Sequence, residues 1–274
     1  MSVHNKTVIV TGASLGVGRA TARALHERGA NVVLVARRLE PLEALARELE
    51  ALDLGRHLVA PCDVADLDAV RALISETVER FGQLHGIVNN AGAHFRGPFE
   101  SRTAEELSTM VDVNLRAPLF LSRLALPHLK AQGGFIVNVA SLAGRVPLDG
   151  AATYSSTKFG LRAFSYALAQ ELRGTGVTVS VVSPGPVDTG FIMSELDEVE
   201  DIVFSQTMCS AEDVAEMILA CAADGRVERV FPYLGAQLAT LGYLFPALRR
   251  LLKPYMSRKG RRAKDRLRAE RLDA

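Results

Sequence analysis

Tyr154 and Lys158 stand four residues apart in a run, 154–172, that lacks proline and is rich in Ala and Leu, so the spacing predicts a helix. On a helix, positions i and i+4 share a face, and the phenol and ammonium emerge side by side. A free tyrosine titrates near about 10 and keeps its proton at neutral pH. A neighbouring lysine charge favours the phenolate. Bringing that phenol to about 7 requires about 4 kcal/mol of differential stabilisation. One close cation in a poorly solvated site, aided by a cofactor charge, is of the right size to supply it. Ser141 ends an apolar run, 135–140, and offers a hydroxyl to the same substrate oxygen. The chemistry these three groups suit is proton transfer to or from a carbonyl or alcohol oxygen.

Such a trio needs a frame, and the chain has the pattern of one. Strand-like apolar runs at 7–11, 31–36, 57–61, 85–89, 135–140, 177–183 and 229–232 alternate with amphipathic segments such as 39–54, 67–81 and 211–223. Most of the strand runs are continuously apolar, as expected of strands covered on both faces. The alternation predicts an α/β fold: a Rossmann-type, doubly wound parallel sheet of about seven strands with helices on both faces. Residues 1–232 form the expected nucleotide-binding and catalytic domain, and 233–274 an apolar, then basic, C-terminal extension.

The composition agrees with one sizeable core. The chain has 274 residues, 48% of them hydrophobic, with a mean hydropathy of +0.13. A net charge of +1 gives no overall field for nucleic acid. That balance conceals an asymmetry: residues 247–274 carry a net +8 and the rest a net −7. Cys62, Cys209 and Cys221 are far apart and match no metal-ligand spacing, so they read as core thiols in a reducing compartment. The opening residues lack a charged stretch followed by an apolar one, which makes a cytoplasmic location the expectation.

The first strand runs into Thr11-Gly12-Ala13-Ser14-Leu15-Gly16-Val17-Gly18, after which a helix begins. A strand, a glycine-rich turn and a helix N-terminus together can hold a pyrophosphate, because glycines permit close approach and free N–H groups face the anion. The second strand ends Val35-Ala36-Arg37-Arg38. A carboxylate there would bind the ribose 2′-hydroxyl of NAD, whereas two guanidiniums suit a 2′-phosphate, so NADP(H) is the expected cofactor.

With these motifs in order, the chain resembles a classical short-chain dehydrogenase/reductase over residues 5–232. The matching segments are the glycine turn, Asp63-Val64 after the third strand and Asn89-Asn90-Ala91-Gly92 after the fourth. Asn114, Ser141 with Tyr154-Ser-Ser-Thr-Lys158, and Pro184-Gly185-Pro186-Val187-Asp188-Thr189 complete the set. The resemblance implies catalytic roles for Asn114, Ser141, Tyr154 and Lys158. It also implies cofactor contacts at Gly12, Ser14, Leu15, Gly16, Gly18, Arg37, Arg38, Asp63, Val64, Asn89, Ala91, Gly92, Tyr154, Lys158, Pro184, Gly185, Val187 and Thr189. Asp63 and Val64 would hold the adenine, Lys158 the nicotinamide ribose, and Val187 and Thr189 the carboxamide. Asn114 would hold a water in a proton relay to Lys158. A homodimer or homotetramer is implied as well.

Three stretches are expected to border the substrate: 94–95, 142–148 and 191–208. Their apolar members are Phe95, Leu142, Val146, Leu148, Phe191, Ile192, Met193, Leu196, Ile202, Val203, Phe204 and Met208. They suit a hydrophobic, lipid- or steroid-like ketone or secondary alcohol, unless they serve instead to pack a lid on the core. His94 either touches substrate or is simply solvated. The alternatives to such an oxidoreductase are a 3-ketoacyl-thioester reductase, or a cofactor-binding regulator without turnover. In the extension, residues 238–256 place leucines on one helical stripe interrupted near Pro246, followed by Arg249, Arg250 and Lys253 reaching outward. The extension loosely resembles that of hydroxysteroid dehydrogenase-like members. It reads either as a peripheral membrane contact or as a packing element on the body or across a dimer.

Overall fold

The computed structural model describes residues 2–52 and 54–272. Seven parallel strands form one sheet: β1 Thr7–Thr11, β2 Asn31–Ala36, β3 His57–Pro61, β4 Gly86–Asn89, β5 Phe135–Val139, β6 Thr178–Pro184 and β7 Glu228–Phe231. Their order is β3-β2-β1-β4-β5-β6-β7. The direction of winding reverses between β1 and β4, which opens a crevice beyond the carboxyl ends of the strands.

The helices are α1 Gly16–Glu27, α2 Leu39–Glu50, α3 Leu67–Phe81, α4 Ala104–Val111, α5 Ala117–Gln132 and α6 Ala152–Glu171. After β6 come α7 Gly190–Met193, α8 Ala211–Asp224, α9 Tyr233–Leu244 and α10 Pro246–Leu272. Alternation along each strand feeds two helical layers. Val8 and Val10 of β1 join Val32 and Leu34 of β2 under Leu25, Leu45 and Ile218 of α1, α2 and α8. Ile9, Val33 and Val35 face the other way, onto Leu73, Leu121 and Leu129 of α3 and α5. Burial on both faces is why the strands lack a polar alternation.

The predicted architecture is borne out: β1, β2, β3 and α3 fall on the predicted residues, and other element ends shift by a residue or more. The helix carrying Tyr154 starts at Ala152, two residues before the predicted point, and α2 ends at Glu50 instead of 54. The break near Pro246 is a full one: α9 stops at Leu244 and α10 starts on Pro246. Proline is favoured there because the first helical N–H has no intrahelical partner to lose. Among the described residues no helix is long and apolar enough to cross a membrane.

Candidate active site

The carboxyl ends of β1, β4, β5 and β6 open into one cavity of about 860 Å³. Ser141, Tyr154 and Lys158 all lie on its wall. Ser141 follows β5 and opens a short 3₁₀ turn, Leu142–Gly144, by accepting a hydrogen bond from the Ala143 N–H at 3.1 Å. Tyr154 and Lys158 occupy the first turns of α6 on its inward face, and both are buried. The Lys158 ammonium donates to the Val139 carbonyl at 2.9 Å and stands 5.7 Å from the Tyr154 ring centroid.

The electrostatics differ from expectation in one respect. Burial raises the Tyr154 pKa above its ordinary value, opposed by the Ser141 hydroxyl and the Arg96 charge. Burial also lowers Lys158 to about 8. Desolvation is the largest influence on the phenol in the protein by itself, and Lys158, whose ammonium faces the ring and donates to Val139, does not offset it. Tyr154 holds its proton, the form a general acid requires.

Asn114 sits in a π-helical turn, Asp112–Arg116, between α4 and α5. Its side-chain oxygen accepts from the Ala93 N–H at 2.7 Å, and its amide donates to the Ala93 carbonyl at 2.8 Å and to Thr157 Oγ1 at 3.3 Å. The side chain thus ties the segment after β4 to α6, and it lies off the cavity wall. A β-carbon on Gly92 would stand 3.5 Å from Asn114 Oδ1 and 3.9 Å from Lys158 Nζ, so the three groups share one small space.

Gly12, Ser14, Leu15 and Gly16 line the same cavity. Gly12 has φ +68°, and a β-carbon on Gly18 would come 2.1 Å from the Gly12 carbonyl oxygen, so the turn closes on the start of α1 only with glycine at both points. Leu15 at the N-cap gives no side-chain cap, and the first turn of α1 has no acid. Its N–H groups are left for an anion. Thr11 Oγ1 accepts from the Asn90 and Ala91 N–H groups, both at 3.0 Å, locking this turn to the segment after β4.

Ala91, Gly92, Pro184, Gly185, Val187 and Thr189 line the same cavity. Asn89 does not: it is buried, donating to Asn138 Oδ1 at 2.7 Å, and Asn90 takes the place on the wall. Gly18 lies under the turn. Arg37 and Arg38 are exposed at the end of β2 and make no ion pair among the described residues. Asp63 accepts from the Ala65 N–H at 2.9 Å, and Val64 packs against the α3 layer.

The expected substrate stretches divide between the two readings. Leu142, Val146, Leu148, Phe191, Ile192, Ile202 and Val203 line the cavity. Phe95 packs with Met110 and Tyr154, while Met193, Leu196, Phe204 and Met208 pack a lid against Ala263 and Leu267 of α10. The extension forms the outer wall through Leu238, Leu248, Leu252 and Met256. Arg249 and Lys253 do not reach outward as predicted: Arg249 donates to the Pro147 carbonyl at 2.7 Å, and Lys253 pairs with Asp149.

Two arrangements were not legible in the sequence, although His94 falls within the expected substrate stretches. His94 is not solvated; its ring stacks on Tyr154 with centroids 4.0 Å apart and planes 10° from parallel, held by Arg96. Glu228 is a buried hub that accepts from Arg162 at 2.9 Å and from Tyr166 and Ser183, both at 2.7 Å, and also pairs with Arg145. Arg145 in turn reaches Thr240 of α9 at 3.1 Å, joining the Ser141 turn to the outer wall.

A doubly wound fold with a glycine turn and a Ser-Tyr-Lys cluster in one crevice defines a nucleotide-dependent oxidoreductase. Comparison with known proteins agrees. The short chain dehydrogenase family model matches residues 6–200. An uncharacterized oxidoreductase of Staphylococcus saprophyticus is 35% identical over 206 residues, covering 73% of this chain and 82% of the relative. The ketoacyl reductase HetN of a Nostoc species is 39% identical over 187 residues, covering 68% of this chain and 65% of its own. A metagenomic short-chain oxidoreductase solved in complex with NADP superposes with a TM-score of 0.72 at 32% identity, covering 84% of this chain and 98% of that one. A Mycobacterium marinum member reaches a TM-score of 0.77 at 26% identity, covering 84% and 94%. The chain belongs to the short-chain dehydrogenase/reductase family and is an NAD(P)-dependent enzyme of that class.

Proposed function

We propose that the protein is an NADP(H)-dependent oxidoreductase acting on a hydrophobic ketone or secondary alcohol. The observation that carries this reading is the cavity itself: Ser141, Tyr154 and Lys158 stand at its inner end, and leucines of the extension close its outer wall. The glycine cradle fits a pyrophosphate, and the unpaired Arg37 and Arg38 fit a 2′-phosphate. Gly12, Ser14, Leu15, Gly16 and Gly18 would hold the pyrophosphate, with Asp63 and Val64 at the adenine. Asn89 would act beneath the wall made by Ala91 and Gly92. Lys158 would hold the nicotinamide ribose, while Pro184, Gly185, Val187 and Thr189 orient the carboxamide. When bound, the nicotinamide supplies or takes the hydride. Ser141 and Tyr154 hydrogen-bond the substrate oxygen, and Tyr154 gives it a proton in reduction or removes one in oxidation. Asn114 holds α6 and the segment after β4 in register, behind the proton path at Lys158.

A screen of ketones of graded size and polarity, following NADPH and NADH oxidation in parallel, tests the reading. Turnover of bulky apolar ketones with NADPH is the expected result; turnover of small polar ones alone, or equal use of NADH, contradicts it. The 3-ketoacyl-thioester reading is favoured by the relative named as a ketoacyl reductase, and 3-ketoacyl thioesters belong in the same screen.

The outer face of the extension is proposed to rest on a lipid surface. Leu234, Leu251, Tyr255, Leu244, Tyr233 and Phe245 are all strongly exposed there. Arg250, Arg258, Lys259 and Arg262 have no acidic partner among the described residues. An apolar face edged by free cations matches an interfacial helix. Full-length protein is expected to pellet with phosphatidylcholine–phosphatidylserine vesicles at low salt, and the double variant Leu251→Glu/Tyr255→Glu to stay in solution. A wild-type dimer that ignores lipid and dissociates in that variant would assign the face to a second copy.

A further inference from the structure

Arg96 is a buried cation outside the residues assigned to chemistry, yet it touches both the lid and the support of the catalytic phenol. Its Nε donates to Glu195 Oε2 at 2.9 Å and its Nη2 to the Phe191 carbonyl at 2.8 Å, both on the lid. Its Nη1 lies 2.8 Å from His94 Nδ1. A guanidinium only donates, so Nδ1 is the acceptor and the imidazole carries its proton on Nε2. Burial, with the charges of Arg96 and Lys158, holds His94 far below its ordinary value, at about 3, so the ring is neutral and keeps that tautomer. The same ring lies flat on Tyr154, and Phe191 closes the group at 6.3 Å from His94 and 6.4 Å from Tyr154.

A chain of contacts therefore runs from the lid through one guanidinium and one imidazole to the phenol. We propose that Arg96 is a positioning residue: with the lid seated, it holds His94 flat against Tyr154 and so fixes the phenol toward the substrate oxygen. The proposal rests on Tyr154 being the proton donor. Three acceptors in three directions match the planar fork of arginine, and a lysine reaches at most part of the set. A phenol free to rock away from Ser141 misplaces its proton by a fraction of an ångström or more, which costs rate while leaving the apolar cavity able to bind.

The test compares full-length wild type with Arg96→Met and Arg96→Lys, using the best ketone from the graded screen and, separately, chymotrypsin cleavage of the lid, which carries Phe191, Leu196 and Phe204, in ligand-free protein. Arg96→Met should lower kcat by about 10- to 100-fold with KM changed less than about threefold, and should speed lid cleavage. Arg96→Lys keeps the charge without the fork and should remain well below wild type in kcat. Wild-type kcat in either variant overturns the proposal, as does a loss carried by KM alone. If no ketone is turned over by the wild type, the functional reading fails instead. The cleavage comparison then decides this proposal alone, and equal rates in wild type and Arg96→Met would end it.

Discussion

Glu228→Gln changes the buried carboxylate that joins β7 to β6, α6, the Ser141 turn and α9. The Glu228 side chain is 5% exposed and is met by Arg145, Arg162, Tyr166 and Ser183. Burial works to raise its pKa, but the hydrogen bonds from Arg162, Tyr166 and Ser183 and the charge of Arg145 overcome it and bring Glu228 from 4.5 down to about 2. At about 1.4 kcal/mol per pH unit, that gap is worth about 3 kcal/mol. The value agrees with the roughly 3–5 kcal/mol lost when one partner of a buried ion pair is removed. The sign follows from a depressed carboxylate: the contribution is full above about 4.5 and is lost as pH falls toward 2. Urea denaturation of wild type and Glu228→Gln, read by circular dichroism at pH 7 and pH 3, measures it. The variant should be less stable by about 3 kcal/mol at pH 7, and more than half of that difference should be gone at pH 3. A difference below about 1 kcal/mol at pH 7, or one that does not shrink with acid, would refute the argument that Glu228 is held ionised by its partners.

Tyr154→Phe keeps the ring stack on His94 but removes the proton, so turnover should fall by a factor on the order of 10² or more while NADPH affinity, followed by fluorescence titration, barely moves. Arg37→Asp sets a negative charge where the 2′-phosphate is proposed to lie, so the ratio of kcat/KM for NADPH over NADH should fall at least about tenfold; an unchanged ratio removes Arg37 from that role. Gly260→Ala places a β-carbon 1.7 Å from the Asp201 carbonyl oxygen and 3.0 Å from the Ser205 N–H nitrogen. Because backbone must give way, stability in urea should drop by about 1–3 kcal/mol, and unchanged stability would mean α10 does not dock on the lid there.

The fold was legible because its signal is local and repeated. Each strand is an apolar run of a few residues, and each intervening segment carries the helical period that buries one face against the sheet. Ser141, Tyr154 and Lys158 were legible for a related reason: two sit one helical turn apart, and the third ends a strand. What escaped was pairing over distance. Arg145 precedes Glu228 by 83 residues, Tyr166 precedes it by 62, and nothing local marks any of them as buried. Arg96 is likewise one arginine among many until the lid, 95 and 99 residues later, folds back on it. The extension shows the same limit from another side. Its periodicity reveals an apolar stripe but not what the stripe faces, and Asp149 draws in two of the cations expected to point away.

That last point bears on how the proposed substrate meets the site. Leu238, Leu248 and Leu252 belong to the cavity wall, while Leu234, Leu244 and Leu251 of the same two helices are exposed without lining it. The two helices of the extension therefore carry both an apolar cavity lining and an apolar exposed surface. Arg249 and Lys253 bind Pro147 and Asp149, so the extension is anchored on the segment after the Ser141 turn, while the unpartnered Arg258, Lys259 and Arg262 lie farther along α10. On the proposed reading, a face seated on lipid sets the α9–α10 wall of the cavity at the apolar boundary. A hydrophobic ketone then reaches the α9–α10 wall of the cavity without first crossing water, while the glycine turn after β1 remains the place for the nucleotide.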